Sequence, residues 1–262
     1  MLADPDGAWV EEAEERLGDK LAAVYTDHEE LLESEDAVMA LVSMEAVLAP
    51  PVISAALKGG CHVLAEKPSS VSSASIKELE ALADSEGKML MLALTNRLCD
   101  PHPIIPPIPP PQPTPRLVRR LPEVVEAKRL IESGAIGDLY GVEMHMVADQ
   151  TRLGREGYGE RWEAQQSRSG GGHLVWLGIH WLDLAMFITD TDIKSVAGFT
   201  ANVGGKPFDV EDSATAALQF SNGTLGTVTS GYYTDEARSI PPEAHHLRST
   251  CCVGSSDNRW RL

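Results

Sequence analysis

Three short, almost unbroken apolar runs, residues 36–43, 61–65 and 88–94, constrain the first hundred residues more than any other feature. Strands buried on both faces of a parallel sheet read in this way, whereas half-buried strands alternate. Helical patterns lie between and ahead of them. Trp9, Val10, Ala13 and Leu17 recur at helical spacing with glutamates opposite. Residues 51–57 form a second pattern with proline in its first turn, and Ile76, Leu79, Leu82 and Ala83 mark a third. Gly59-Gly60 and Gly87 stand where these two helices stop. Strand and helix in alternation predict an α/β fold with a doubly wound parallel sheet and right-handed crossovers.

The character changes at residues 101–115, where nine of the 15 positions are proline. Neither helix nor strand forms there, so a linker or inserted loop is expected, with a polyproline ligand for an aromatic groove as the other reading. From Pro122 periodicity resumes. Residues 123–133 read as an amphipathic helix stopped at Gly134, residues 138–148 as a half-buried strand, and residues 177–188 as a strongly apolar helix. Residues 193–203, 214–220 and 225–232 follow as strands, the last two joined through Ser221-Asn222-Gly223-Thr224, a strong hairpin signal. The second half is therefore α+β with a mostly antiparallel open sheet. The expected organisation is a partial dinucleotide-binding domain at 1–98, a proline-rich insert at 99–121, an α+β domain at 122–235 and an irregular tail at 236–262.

Net charge narrows the partners. Twenty-two Lys and Arg against 39 Asp and Glu leave −17, which repels nucleic acid and anionic membrane surfaces. No apolar run approaches the roughly 20 residues of a membrane span, and the first residues carry no basic-then-apolar leader, so a cytoplasmic protein is expected. Four cysteines, two of them adjacent at 251–252, suit neither a disulfide framework nor a zinc site, and no metal is expected.

Several residues could carry chemistry. Asp4 stands where a strand ends and a helix is about to begin, the place of a ribose-binding acid in dinucleotide folds and equally that of a turn or cap residue. Glu66-Lys67-Pro68 follows the run at 61–65, at the carboxyl end of a parallel strand. Lys67 there is either a charge that stabilises an oxyanion or an exposed partner of Glu66. Gly170-Gly171-Gly172 precedes a helix whose Trp176 and His180 are spaced i, i+4, with Asp183 three residues on. The glycines allow close approach to a ligand or a neighbouring strand. His180 with a nearby carboxylate suits proton exchange near neutral pH, and a satisfied core pair is the competing reading. No Gly-rich phosphate loop occurs in the sequence.

Taken together, Ala65-Glu66-Lys67-Pro68, the glycine triplet, Gly178-x-His180-x-x-Asp183, and the segments at 25–32 and 130–137 make the chain resemble the glucose–fructose oxidoreductase / inositol dehydrogenase / rhizopine catabolism family over about 2–96 and 122–233. The resemblance implies a Rossmann-like sheet followed by an α+β domain, and NAD(P)-dependent oxidation of a hydroxyl-bearing carbon in a sugar or cyclitol. It implies Lys67 beside the nicotinamide and the substrate hydroxyl, and His180 as the proton-transferring residue. Asp4 would hold the adenosine ribose, favouring NAD over NADP, Ser43 would begin the loop crossing the cofactor, and Glu66 would join the cofactor contacts. Asn96, Trp176 and Asp183 would line the substrate together with Lys67 and His180. Self-association through the second-domain sheet is also implied. The chain departs from the family in lacking the opening strand–Gly-x-Gly-x-x-Gly–helix unit, so its sheet is expected to be incomplete, and in having Trp176 where an aspartate is usual. A non-catalytic ligand-binding or protein-interaction module is the alternative that these departures leave open.

Overall fold

The computed structural model describes residues 1–94, 122–150, 153–234, 248–255 and 259–261. It divides into two units, Met1–Ala93 and Leu94–Leu262.

In the first unit β1 (Leu2–Ala3), α1 (Gly7–Leu17), β2 (Val24–Tyr25), α2 (His28–Ser34), β3 (Met39–Val42), α3 (Ala49–Lys58), β4 (His62–Ala65), α4 (Ser73–Glu86) and β5 (Leu90–Leu92) follow one another. The runs read as parallel strands are β3, β4 and β5, paired in parallel in that order. β1 and β2 pair in parallel as a separate two-stranded sheet. The parallel Rossmann-like sheet is thus present in two pieces, and among the described residues β1 and β3 are each paired along one edge. β2 and α2 escape the periodicity reading because two residues of strand and two turns of helix are too short to show a period.

Burial in this unit is one-sided. Ala49, Ile53, Ala56 and Leu57 of α3 and Leu79 and Ala83 of α4 cover Val42, Val63 and Ala65. On the opposite face of the same strands Met39 and Leu41 are 69% and 70% exposed, and Met91 is exposed as well. The expectation of strands buried on both faces holds for one face only, because no described helix lies over the other. The same lack explains α1, whose apolar stripe follows the predicted spacing yet buries no residue: Trp9 and Leu17 are exposed. Cys61 is buried, donates its thiol hydrogen to the Ala37 carbonyl at 3.1 Å, and burial pushes its pKa up, the environment of an inert structural thiol.

The second unit contains α5 (Pro122–Glu132), β6 (Leu139–Asp149), α6 (Gln166–Ser169), a π-helical turn (Leu174–Gly178) running into α7 (Ile179–Thr189), then β7 (Ile193–Ala201), β8 (Ser213–Phe220), β9 (Leu225–Thr234), β10 (Arg248–Ser255) and β11 (Arg259–Arg261). The strands form one sheet in the order β11-β10-β6-β9-β8-β7. Only β6 and β9 run parallel, so the sheet is mixed within its mostly antiparallel character. Val124 of α5 and Leu184, Ala185 and Ile188 of α7 pack on Val142, Met144, Leu218, Phe220 and Val228 of the sheet. The β8–β9 hairpin forms at Asn-Gly as the sequence predicts, with Gly223 at φ +91° and its amide on the Phe220 carbonyl.

One expectation is corrected here. Residues 248–255 and 259–261 are strands, where the sequence reads as an irregular tail. Their small and polar residues show no alternation, and the edge of β6, paired with β10 between Leu139 and Val147, decides the conformation instead. The segment Gln166–Thr189 reaches the length and hydropathy of a membrane span, yet it is broken at Gly170, which adopts φ +80°. In the fold its second half is a core helix, with Asp183, Leu184, Ala185, Ile188 and Thr189 buried.

One-sided burial predicts uneven sensitivity to truncation. Ile53→Ala should destabilise the first unit by about 3 kcal/mol, and Trp9→Ala by less than about 0.5 kcal/mol, as read from urea denaturation.

Candidate functional site

The first unit offers its candidates at the carboxyl ends of parallel strands, where open α/β sheets bind ligands. After β1, the Asp4 amide donates to the Tyr25 carbonyl at 3.1 Å, and Asp4 Oδ1 accepts the Asp6 amide at 2.9 Å. Asp6 in turn caps α1, accepting the Ala8 amide at 3.0 Å. Asp4 therefore makes the turn that the competing reading expected, and its second carboxylate oxygen stands at a strand end. After β3 and β4, Ser43 and Glu66 lie level on one rim, because Val42 pairs with Ala65 and the Glu66 amide donates to the Val42 carbonyl at 2.8 Å. Both are exposed. Lys67 follows on the same rim but is 9% exposed, and its bond to Pro68 is cis. Ser69 pins this turn by donating its hydroxyl to the Glu66 carbonyl at 2.8 Å. A lysine buried at a sheet rim, beside an exposed glutamate, does not match the picture of a solvated surface cation.

In the second unit Trp176 lies in the π-helical turn, and His180 and Asp183 lie on α7. His180 is half-buried and Asp183 buried. Trp176 rests against Trp162, ring centroids 5.0 Å apart and tilted by 53°, so that two indoles form one apolar surface. Trp162 is followed by Glu163, buried and held by two hydrogen bonds from Arg161 at 2.9 and 3.2 Å; the carboxylate raises the pKa of that guanidinium. His173, passed over in the sequence, is fully buried, with Nδ1 2.7 Å from Ser230 Oγ and its ring edge-on to Tyr232 at 4.4 Å. It belongs to the core.

The glycine triplet approaches a neighbouring segment of this chain. Glu211, just ahead of β8, accepts the Gly172 amide on Oε2 at 2.6 Å and the Leu174 amide on Oε1 at 3.0 Å, and its carbonyl accepts the His173 amide at 3.0 Å. A Cβ on Gly172 would run into that carbonyl, which is why glycine stands there. Asp212, next along, is buried and accepts the Val203 and Gly204 amides at 2.8 and 2.7 Å. Neither acid was singled out from the sequence. A carboxylate that caps a helix 37 residues away leaves no local pattern.

The structure thus brings Ser43, Glu66 and Lys67 to one rim of the first unit, with Asp4 at the end of β1, and gathers Trp176, His180 and Asp183 on one helix of the second. Asn96 lies outside the described residues. Among those residues, no three His, Cys, Asp or Glu side chains gather into a metal-binding group. The donors present suit two parts of a dinucleotide: an acid for ribose hydroxyls and a cation for the nicotinamide end. They do not suit the pyrophosphate, because none of the turns after β1, β3 and β4 is a glycine-rich loop opening a helix.

Comparison with known proteins agrees with both units. Residues 1–94 match the family model described as oxidoreductase family, NAD-binding Rossmann fold, and residues 124–251 match the GFO/IDH/MocA C-terminal domain. An uncharacterized oxidoreductase of Schizosaccharomyces pombe is 30% identical over 190 residues, covering 72% of this chain and 44% of its own length. The trans-1,2-dihydrobenzene-1,2-diol dehydrogenase of Mus musculus is 24% identical over 208 residues, covering 78% and 52%. The chain spans about half the length of these curated relatives. Among solved structures, an oxidoreductase domain protein from Kribbella flavida superposes with a TM-score of 0.77 at 23% identity, covering 100% of this chain and 63% of that one. The myo-inositol 2-dehydrogenase of Lactobacillus plantarum does so at 0.75 and 18%, covering 99% and 67%. With both of its domain models matched in order along the sequence, the chain belongs to the Gfo/Idh/MocA oxidoreductase family.

Proposed function

We propose that this chain carries the reacting residues of an oxidoreductase that acts on a hydroxyl-bearing ring carbon of a sugar or cyclitol, with NAD as the hydride carrier. The observation that carries the reading is Lys67. It is a cation buried at the carboxyl end of β4, in the half of the chain that matches an NAD-binding model. Burying an ammonium costs free energy, and such groups concentrate where chemistry uses them.

When bound, nicotinamide takes or returns the hydride. The ammonium of Lys67 steadies the substrate oxygen as negative charge grows on it. His180 receives the hydroxyl proton, an exchange suited to an imidazole near neutral pH. Asp183, buried three residues further along α7, serves as its neighbouring carboxylate. Asp4 bonds the ribose hydroxyls, and its charge disfavours a 2′-phosphate, which selects NAD over NADP. Ser43 and Glu66 complete the rim. Trp176 with Trp162 walls the ring of the substrate. Relatives named for a cyclic diol and an inositol support a polyhydroxylated ring as the substrate class.

The absence of a glycine turn among the described residues favours a second reading, a module that keeps the ligand-binding domain without turnover. The two separate experimentally. The 262-residue chain is expected to give no NADH fluorescence enhancement at micromolar concentration, for want of a pyrophosphate cradle. Adding a strand–Gly-x-Gly-x-x-Gly–helix unit ahead of Leu2 should restore binding and polyol oxidation. Binding restored without oxidation of any polyol would leave the module reading standing. In the restored protein His180→Ala should lower kcat about 10²- to 10⁴-fold with cofactor binding unchanged, while Lys67→Ala should lower both.

We propose self-association through the sheet of the second unit. Its outer face presents Thr215, Ala217, Gln219 and Thr227, with Phe199 paired opposite Thr215 and 87% exposed. A second copy is the proposed occupant. Phe199→Asp should reduce a dimer to monomer in sedimentation. A wild-type chain that is already monomeric at high concentration would refute it.

A further inference from the structure

Glu211 and Asp212 are adjacent acids just ahead of β8, and each takes two main-chain amides with one carboxylate. Their targets differ. Asp212 fastens the loop after β7 and, through its carbonyl, the Tyr232 amide at 3.0 Å. Glu211 takes the amides of Gly172, His173 and Leu174, three donors at the start of a helix that has no carbonyls ahead of it to use. Negative charge at that end is also favoured by the helix dipole.

We propose that Glu211 is a positioning residue for His180. The inference rests on the reading above, in which His180 exchanges the substrate proton. The helical run is anchored at two places: at its start by Glu211, and along α7 by Leu184, Ala185 and Ile188 packed on the sheet. Between the anchors lies the π-helical turn of residues 174–178, which accommodates one residue more than regular α-helix would. Each residue of an α-helix turns the chain by about 100°. Relaxation of the wide turn to α register would therefore rotate one anchor against the other by about that much. Trp176 sits inside this turn and His180 in the first turn of α7. Holding the three amides keeps the extra residue in place, and with it the offset between the indole wall and the imidazole.

Asp212 supplies the control. Glu211→Gln preserves size but replaces an acceptor oxygen with an NH₂ group, which cannot accept the second amide. Asp212→Asn makes the same change at the β7–β8 loop, away from the helix start. The test uses the full 262-residue chain with ¹⁵N-labelled histidine and tryptophan, without cofactor. Glu211→Gln is expected to shift or double the ring signals of His180 and the indole signal of Trp176. Asp212→Asn, with a comparable fall in Tm, should leave both where the wild type has them. Coincident wild-type and Glu211→Gln spectra, or equal changes in Asp212→Asn, would overturn the proposal. Should Glu211→Gln fail to fold, Glu211→Asp, which keeps the charge but falls one methylene short, replaces it, and unaltered ring signals in that variant overturn the proposal equally. In the cofactor-competent version Glu211→Gln should lower kcat about tenfold or more with the KM for NADH unchanged. Absence of turnover in every version would refute the proposed reaction, while the ring spectra judge the positioning role independently.

Discussion

A helix that starts inside a protein brings amides with no partners of its own, and the long helix of the second unit solves this with one distant residue, through its carboxylate and its carbonyl. Glu211 meets Gly172, His173 and Leu174 at once. The helix can then lie on β6, β8 and β9, burying Leu184, Ala185 and Ile188, with its first amides paired. Burial of those three is what holds α7 on the sheet, and the sheet order, with β6 and β9 parallel at its centre, provides the surface. His180 owes its place to both anchors. Packing alone would hold the helix down, yet would not fix its rotation.

The first unit works differently. Its candidate residues lie at the ends of strands, and those ends are aligned by the parallel ladder: Val42 beside Ala65 puts Ser43 level with Glu66 and brings Lys67 to the same rim. The ladder itself is half-partnered among the described residues. β1 and β3 each pair on one edge, α1 buries nothing, and Met39 and Leu41 face solvent. Cohesion comes from α3 and α4 over a single face. Segments with few buried contacts open most readily, so β1 with Asp4 belongs to the low-stability end of this unit and β4 with Lys67 to the high end.

Much of this was legible because certain patterns admit few alternatives. Apolar runs of five to eight residues between helical patterns read as strands, and 39–42, 62–65 and 90–92 are strands, although only one of their faces is covered. Asn222-Gly223 between alternating segments made a hairpin, since glycine supplies the positive φ that the turn needs. Lys67 could be singled out because it follows directly on a legible strand, and His180 because it lies on a legible helix. The glycine triplet stayed ambiguous between a ligand and a neighbouring segment, and only the fold answered with Glu211. The strand at 248–255 was illegible for the converse reason: β6 offered it an edge, and a ladder bond does not depend on side-chain alternation.

By itself the sequence determined the longer strands and helices up to residue 232, the change of character between the halves, and the residues that stand just past the end of a strand. These are local matters, settled by periodicity over a few turns or by a single glycine or proline. Tertiary structure alone decided which faces are covered, that Lys67 is buried while Glu66 is not, that His173 is a core residue, and that Glu211 and Asp212 grip distant amides. Each of these depends on what another part of the chain presents across tens of residues, and burial and long-range hydrogen bonds leave no period in the sequence from which to read them.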